Sequence, residues 1–240
     1  MDWRDDGILL TVRRHGESAA IIDVFTAGHG RHAGVVRGGG SQRMAPLLQP
    51  GAQIAVEWHA RLSDHLGAFR VEPIRSRATN LMTNGDTLAA IGAVSALLTV
   101  CLAEREPRPD LYAATVSLLD LVGSAPDWPS AYVAWEMMLM ADLGFPLDLS
   151  CCAVTGTTED LAFVSPKTGR AVSKIAAGPY QDRLLPMPDF QAGGREAVAV
   201  GLSLTGHFLL KWVAPALGLS QLPEARTRLA DRLSRTILHK

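Results

Sequence analysis

Residues 53–60 read Gln53-Ile54-Ala55-Val56-Glu57-Trp58-His59-Ala60, with Ile54, Val56 and Trp58 on one side of an alternation and Gln53, Glu57 and His59 on the other. A two-residue period of this kind is that of a strand with one face in a core and one in water. Working outward, Ala68 to Glu72 reads as a partner strand, closed by Pro73. Upstream, Gly7 to Arg13 and Ala19 to Phe25 are β-rich and flank a His15-Gly16-Glu17 turn. Gly28-His29-Gly30 turns the chain into Arg31 to Arg37. The run Gly38-Gly39-Gly40-Ser41 is a loop, because no regular element favours three successive glycines, and Pro50-Gly51 punctuates again. Five short strands in the first 75 or so residues fit an OB-fold and equally an SH3-like barrel.

Past Arg77 the period changes. Leu88, Ile91, Val94, Leu98 and Leu102 recur at helical spacing before Pro107, and Leu111 to Val122 continues in that style. Tyr132, Trp135, Leu139 and Leu143 form another apolar stripe ended by Gly144 and Pro146. Glu196 to Leu217 and Glu224 to Leu238 read as two final helices. The aromatic and Met side chains on these stripes are core material. Between them, Ser150 to Phe190 has no helical period. Leu161 to Val164 and Arg170 to Ser173, joined by Ser165-Pro166-Lys167-Thr168-Gly169, read as a hairpin inserted in a helical domain.

The chain carries 23 Lys and Arg against 24 Asp and Glu, near neutrality, whereas electrostatic binders of nucleic acid usually carry a basic surplus. The total conceals an acidic middle, residues 81–150, between two basic flanks. No acid lies between Asp23 and Glu57, an interval that holds Arg31, Arg37 and Arg43 with His29 and His32. Apolar runs such as Ala89 to Leu102 are interrupted by Gly92, Ser95 and Thr99, so no membrane span is expected. The acidic start Met1-Asp2-Trp3-Arg4-Asp5-Asp6 lacks the features of a secretory signal. Three cysteines, Cys101, Cys151 and Cys152, make no disulfide framework. Cytoplasmic residence is expected. Catalytic signatures are missing: the glycine run lacks a Gly-Lys-Ser/Thr ending, and neither a Gly-x-Ser-x-Gly elbow nor a His-Glu-x-x-His pair occurs. The expectation is a protein that is not an enzyme, without cofactor.

Three stretches together resemble the RecO family of bacterial recombination mediators. They are the opening strand Gly7 to Val12, the path from Arg37-Gly38-Gly39-Gly40-Ser41 to Leu47-Leu48-Gln49-Pro50-Gly51, and Leu147-Asp148-Leu149 with Phe163-Val164-Ser165-Pro166-Lys167-Thr168-Gly169. The order of elements matches along nearly the whole chain. The resemblance implies an α+β multidomain fold: a five-stranded OB-fold β-barrel over residues 1–78, then an all-α helical domain over 79–240 with the β-hairpin insertion at 150–190. It also implies binding of single-stranded DNA, annealing of complementary strands, and work with single-stranded DNA-binding protein, RecR and, indirectly, RecA, in association with the nucleoid. Many members hold zinc in the insertion through two Cys-x-x-Cys pairs. Laid on this chain, that pattern falls on Cys152, Thr155, Ser173 and Ala176, one ligand of four, so no structural zinc is expected and the hairpin should be held by Leu161, Phe163 and Val172.

The candidate DNA contacts are Arg31, Arg37 and Arg43, where glycines permit close backbone approach and guanidinium groups suit phosphate, and a second set of Lys167, Arg170 and Lys174 on the hairpin. Arg228, Arg232 and Arg235 share a helix face and are candidates for DNA or for an acidic partner peptide. With Trp3, Phe25, Trp58 and Phe69 as the aromatic residues of the first domain, binding should be dominated by the phosphate backbone. Two other readings stay open: an adaptor binding only acidic partner peptides, and a small-molecule enzyme using the glycine loop.

Overall fold

A computed structural model describes residues 1–62, 65–77, 85–189 and 192–235. Five strands form a closed barrel: β1 (Asp2–His15), β2 (Ala19–Thr26), β3 (Gly30–Val36), β4 (Gln53–His59) and β5 (Ala68–Arg75). Their order around the barrel is β1-β2-β3-β5-β4, with β1 pairing back onto β4 and β3 running parallel to β5. That is the OB topology, which resolves the choice the strand count left open. β1 closes the barrel because it is long enough to pair with β4 through Asp2–Ile8 and with β2 through Gly7–His15, bending at a register shift between Leu9 and Thr11. The expected alternation holds in β4, where Ile54, Val56 and Trp58 are buried with Leu9, Ile22, Val24 and Phe69.

β5 does not stop at Pro73. It continues to Arg75, and Pro73 lies opposite Ile54, beside the register shift between Gln53 and Ile54. A residue without an N–H is tolerated at such an irregularity because no regular ladder bond is asked of it there.

The chain divides into two compact units, one comprising Met1–Ala125 with Pro223–Arg226 and the other Pro126–Leu222 with Thr227–Lys240. The first unit thus adds to the barrel helices α1 (Gly85–Cys101) and α2 (Pro109–Leu121). The residue pattern changes period before α1, but packing groups both helices with the strands. Arg77, buried, donates to the Gly51 carbonyl and pairs with Asp120 of α2, which Arg75 also meets. In α1, Ile91, Val94, Leu97 and Leu98 are buried, whereas Leu88, expected on the same stripe, is exposed in the first turn.

The second unit is built on α3 (Trp128–Asp142) and α5 (Gly194–Ala216). Tyr132 donates to the fully buried Glu136, and the Thr205 hydroxyl from α5 meets the same side chain, so a buried polar group is hydrogen-bonded rather than orphaned. By length and composition α5 is apolar enough to cross a membrane, and half of its most apolar window is buried within the protein. Its turn Leu209–Val213 is a π-helix just ahead of Pro215, whose ring disrupts regular i to i−4 bonding. The insertion holds β6 (Leu161–Val164), β7 (Ala171–Ser173), α4 (Lys174–Ala177), a 3₁₀ helix Gly178–Arg183 and β8 (Leu185–Pro186), with sheet order β7-β6-β8. β8 has no counterpart in the sequence pattern, since two residues carry no period to read. The last helix is α6 (Glu224–Arg235); Phe190 and residues 236–240, included in the expected boundaries, lie outside the described residues.

Candidate nucleic-acid interface

At the end of β3, Arg37 is exposed and begins the glycine loop. The loop is fastened to the barrel: Gly39 N donates to the Val36 carbonyl at 3.1 Å and Gly40 N to the Ser18 carbonyl at 2.9 Å. Gly38 takes a positive φ of 71°, which favours glycine, and a Cβ on Gly39 would lie 2.9 Å from that of Ala20. The glycines therefore serve the turn and its close packing on the β1–β2 hairpin, and only Gly38 faces open space. Beyond them Arg43 is exposed, while Met44 and Leu48 pack into the barrel core and fix the loop.

This fastening adds two residues to those the sequence pattern singles out. Arg13 and Arg14 end β1, both exposed, and Arg14 pairs with Ala20, which pairs with Val36. Two adjacent arginines beside a Gly16 turn are the signal the sequence offers for them. Arg13, Arg14, Arg37 and Arg43 make no ion pair among the described residues.

Beside Arg37 opens a cavity of about 900 Å³, within the size range of small-molecule clefts. Trp3, Val36, Trp58 and Phe69 form its apolar lining, and Arg4, Arg37 and Arg70 stand among its polar residues. Arg4 faces Glu72 at 3.4 Å and Arg70 faces Glu57 at 3.9 Å, both at exposed positions where pairing is weak. The aromatic groups are occupied with one another. Trp3 stacks on His29 at 4.0 Å, Trp58 lies 5.8 Å from Trp3, and Trp58 Nε1 donates to the Leu66 carbonyl. Trp58, Phe69 and Phe25 are buried, so they are core and not platforms for bases. His32, 4 % exposed, lies edge-on to Trp58 at 4.7 Å with neither ring nitrogen hydrogen-bonded. Burial, with Arg105 and then His29 adding to it, lowers its pKa to about 4.

Arg31 stands apart. Its side chain is only 15 % exposed, and its guanidinium is held by Asp23 at 3.0 Å, Glu104 at 3.4 Å and the Leu102 carbonyl at 3.0 Å. The acid-free interval seen along the sequence is not acid-free in space: Asp23 lies across the β2–β3 pair and Glu104 comes from beyond α1. The structure therefore turns Arg31 inward, away from a phosphate-facing role.

In the insertion, Lys167 and Lys174 are exposed, and Arg170 pairs with Asp148 at 3.2 Å. The turn carrying Lys167 is held by the π-helical turn of α5, where Lys211 Nζ donates to the Pro166 carbonyl and Trp212 packs so tightly on Gly169 that a Cβ there would come within 2.5 Å. The core of this element is Cys152, Val172 and Ala177, joined by Leu161 and Phe163 as expected. Hydrogen bonds from Thr155, then Ser173, hold the Cys152 thiol well below its ordinary range, against the opposing effect of burial. One thiol, two hydroxyls and the methyl of Ala176 do not make a tetrahedral zinc donor set, so these residues do not fit the metal. On α6, Arg228 and Arg232 are exposed, and Arg235 faces Asp231 at 3.6 Å.

A closed OB barrel continued by helices and a small sheet defines an OB-fold protein with an appended helical region. Comparison narrows the class: residues 1–77 match the family model for the N-terminal part of recombination protein O, and residues 82–215 match that for its C-terminal part. A DNA repair protein RecO from Cereibacter sphaeroides is 57 % identical over 98 % of this chain and 99 % of its own length. Proteins of the same name from Ruegeria and Jannaschia species are 55 % and 54 % identical, each over 99 % of this chain, and over 100 % and 98 % of their own lengths. The chain belongs to the RecO family, a family of DNA repair and recombination.

Proposed function

We propose that this chain binds single-stranded DNA through the barrel end that carries Arg13, Arg14, Arg37 and Arg43, and anneals complementary strands. The observation that carries this reading is four exposed arginines, free of ion pairs among the described residues, gathered by the β1–β2 hairpin and the loop fastened against it. With Trp58 and Phe69 buried, the contact is to phosphate and tolerant of sequence. Lys167, Arg170 and Lys174 form a second basic surface, and Arg228, Arg232 and Arg235 a third that takes DNA or an acidic partner peptide. Two strands held on separate basic surfaces gain local concentration and lose mutual repulsion, while base pairing supplies the free energy. No catalysis or cofactor enters. By kinship the work is done in the cytoplasm, at the nucleoid, on strands coated by single-stranded DNA-binding protein and with RecR, so that RecA loads.

The test is fluorescence anisotropy of a labelled oligothymidine against salt, with annealing rates measured alongside, for the native chain and for Arg37→Ala with Arg43→Ala. Removing one phosphate-binding arginine should flatten the log–log salt slope by about 0.7. A double variant whose slope falls by roughly 1.4, with slower annealing, supports the reading. A native chain that binds no strand at low salt rejects it and leaves the adaptor reading.

A further inference from the structure

Among the described Phe, Trp and Tyr residues one side chain is mostly exposed, Tyr180, at 61 %. It lies in the 3₁₀ helix Gly178–Arg183, where three residues per turn bring positions i and i+3 into line, and the Arg183 guanidinium accordingly sits over its ring at 5.8 Å from the centroid. Ile175, 86 % exposed, and Lys174 occupy the preceding turn, α4. The opposite side of this element is anchored: Ala177 is buried against Cys152 and Val172, with Ala176 packed alongside. Single exposed apolar side chains are ordinary, but an aromatic ring backed by a guanidinium and accompanied by an exposed lysine has the composition of a stacking platform for single-stranded bases. Asp182 within the same helix, and Glu159 and Asp160 before β6, are the acids of the neighbourhood.

We infer that Tyr180, with Arg183, is a base-stacking site in the insertion, which takes an unstacked base of a single strand. The inference rests on the DNA-binding reading. It adds a base contact to the phosphate contacts of the insertion, a contact the barrel's buried Trp58 and Phe69 do not offer. Stacking, not net charge, favours a base here: the Arg183 guanidinium lies over the Tyr180 ring, while Asp182, Glu159 and Asp160 offset the two cations.

The experiment compares an oligothymidine with an abasic oligomer of the same length, binding to the full-length native chain, Tyr180→Ala and Tyr180→Phe. Because Tyr180 is on the surface, its variants keep the fold, as far-UV circular dichroism will check. Tyr180→Ala should weaken oligothymidine binding about tenfold, leave the abasic strand unchanged within about twofold, and be rescued by Tyr180→Phe. Equal affinity of native chain and Tyr180→Ala for oligothymidine overturns the stacking site, as does an equal loss on both strands. A native chain that binds neither strand overturns the DNA reading beneath it, a separate failure.

Discussion

In the barrel, Trp58 and Phe69 face inward around a buried histidine while Arg13, Arg14, Arg37 and Arg43 face out; in the insertion, a thiol and a valine face inward and the exposed Tyr180 faces out. Both present cations to solvent, yet they differ in what holds them. The barrel has a core of a dozen buried apolar residues with paired strands all round, and it can anchor a surface loop through backbone bonds such as Gly40 to Ser18. The insertion buries Cys152, Val172 and Ala177 and is steadied by Lys211 and Trp212 of α5. A small element with so little core keeps its shape through hydrogen bonds and one neighbouring helix, and leaves Tyr180 exposed.

The sharpest way to break this contrast is to empty the barrel core. Trp58→Ala should cost about 3–5 kcal/mol in urea unfolding, because the mutation removes both a buried indole and its bond to the Leu66 carbonyl. If instead the variant unfolds like the native chain and loses DNA affinity alone, Trp58 is a surface platform and the contrast is wrong.

A smaller effect separates the two kinds of arginine in the barrel. Arg31→Ala leaves Asp23, itself buried and accepting from Thr11, without its cation, and should destabilise by about 3 kcal/mol with little change in salt slope. Arg37→Ala should do the reverse, leaving stability within about 0.5 kcal/mol and flattening the slope. Matching behaviour of the two variants would erase the distinction between inward and outward arginine.

How much of this is legible in the sequence follows from which forces act along the chain and which act across it. The strands are readable because burial of one face imposes a two-residue period, as in Ile54, Val56 and Trp58. The barrel's closure is not, because Asp2 to Asp6, charged at every position but Trp3, does not announce a strand that pairs with β4. Arg31 misleads for a related reason: its partner Asp23 sits across a strand pair and Glu104 is over seventy residues away. Arg13 and Arg14 do not stand out because their company, the fastened glycine loop, exists only in the folded chain. Cys152 is readable as a thiol short of ligands, with Thr155 and Ser173 at two of the missing positions, while the hydrogen bonds these residues make to its sulfur need coordinates. Tyr180 sits in a segment without period, where sequence does not tell inside from outside.

His32 offers the finest test of the barrel's sealed interior. Its folded pKa of about 4 lies below the 6.5 of a free imidazole, so the unfolded chain binds the proton more readily. The stabilisation is therefore full above pH 6.5 and drains away as the pH falls toward 4, below which both states are protonated. Between pH 7 and pH 4.5 this single group should remove about 2 kcal/mol. Other groups titrate in the same window, so the measurement is a difference: urea unfolding of the native chain and of His32→Leu at both pH values. The native chain should lose about 2 kcal/mol more than the variant on acidification. Equal losses would mean that water or solvent-exposed motion reaches His32 behind Trp3, and that the ring stack of His29, Trp3 and Trp58 is an open mouth, available to a base after all. The size of that difference thus measures how firmly the barrel keeps its aromatics from the strand it holds.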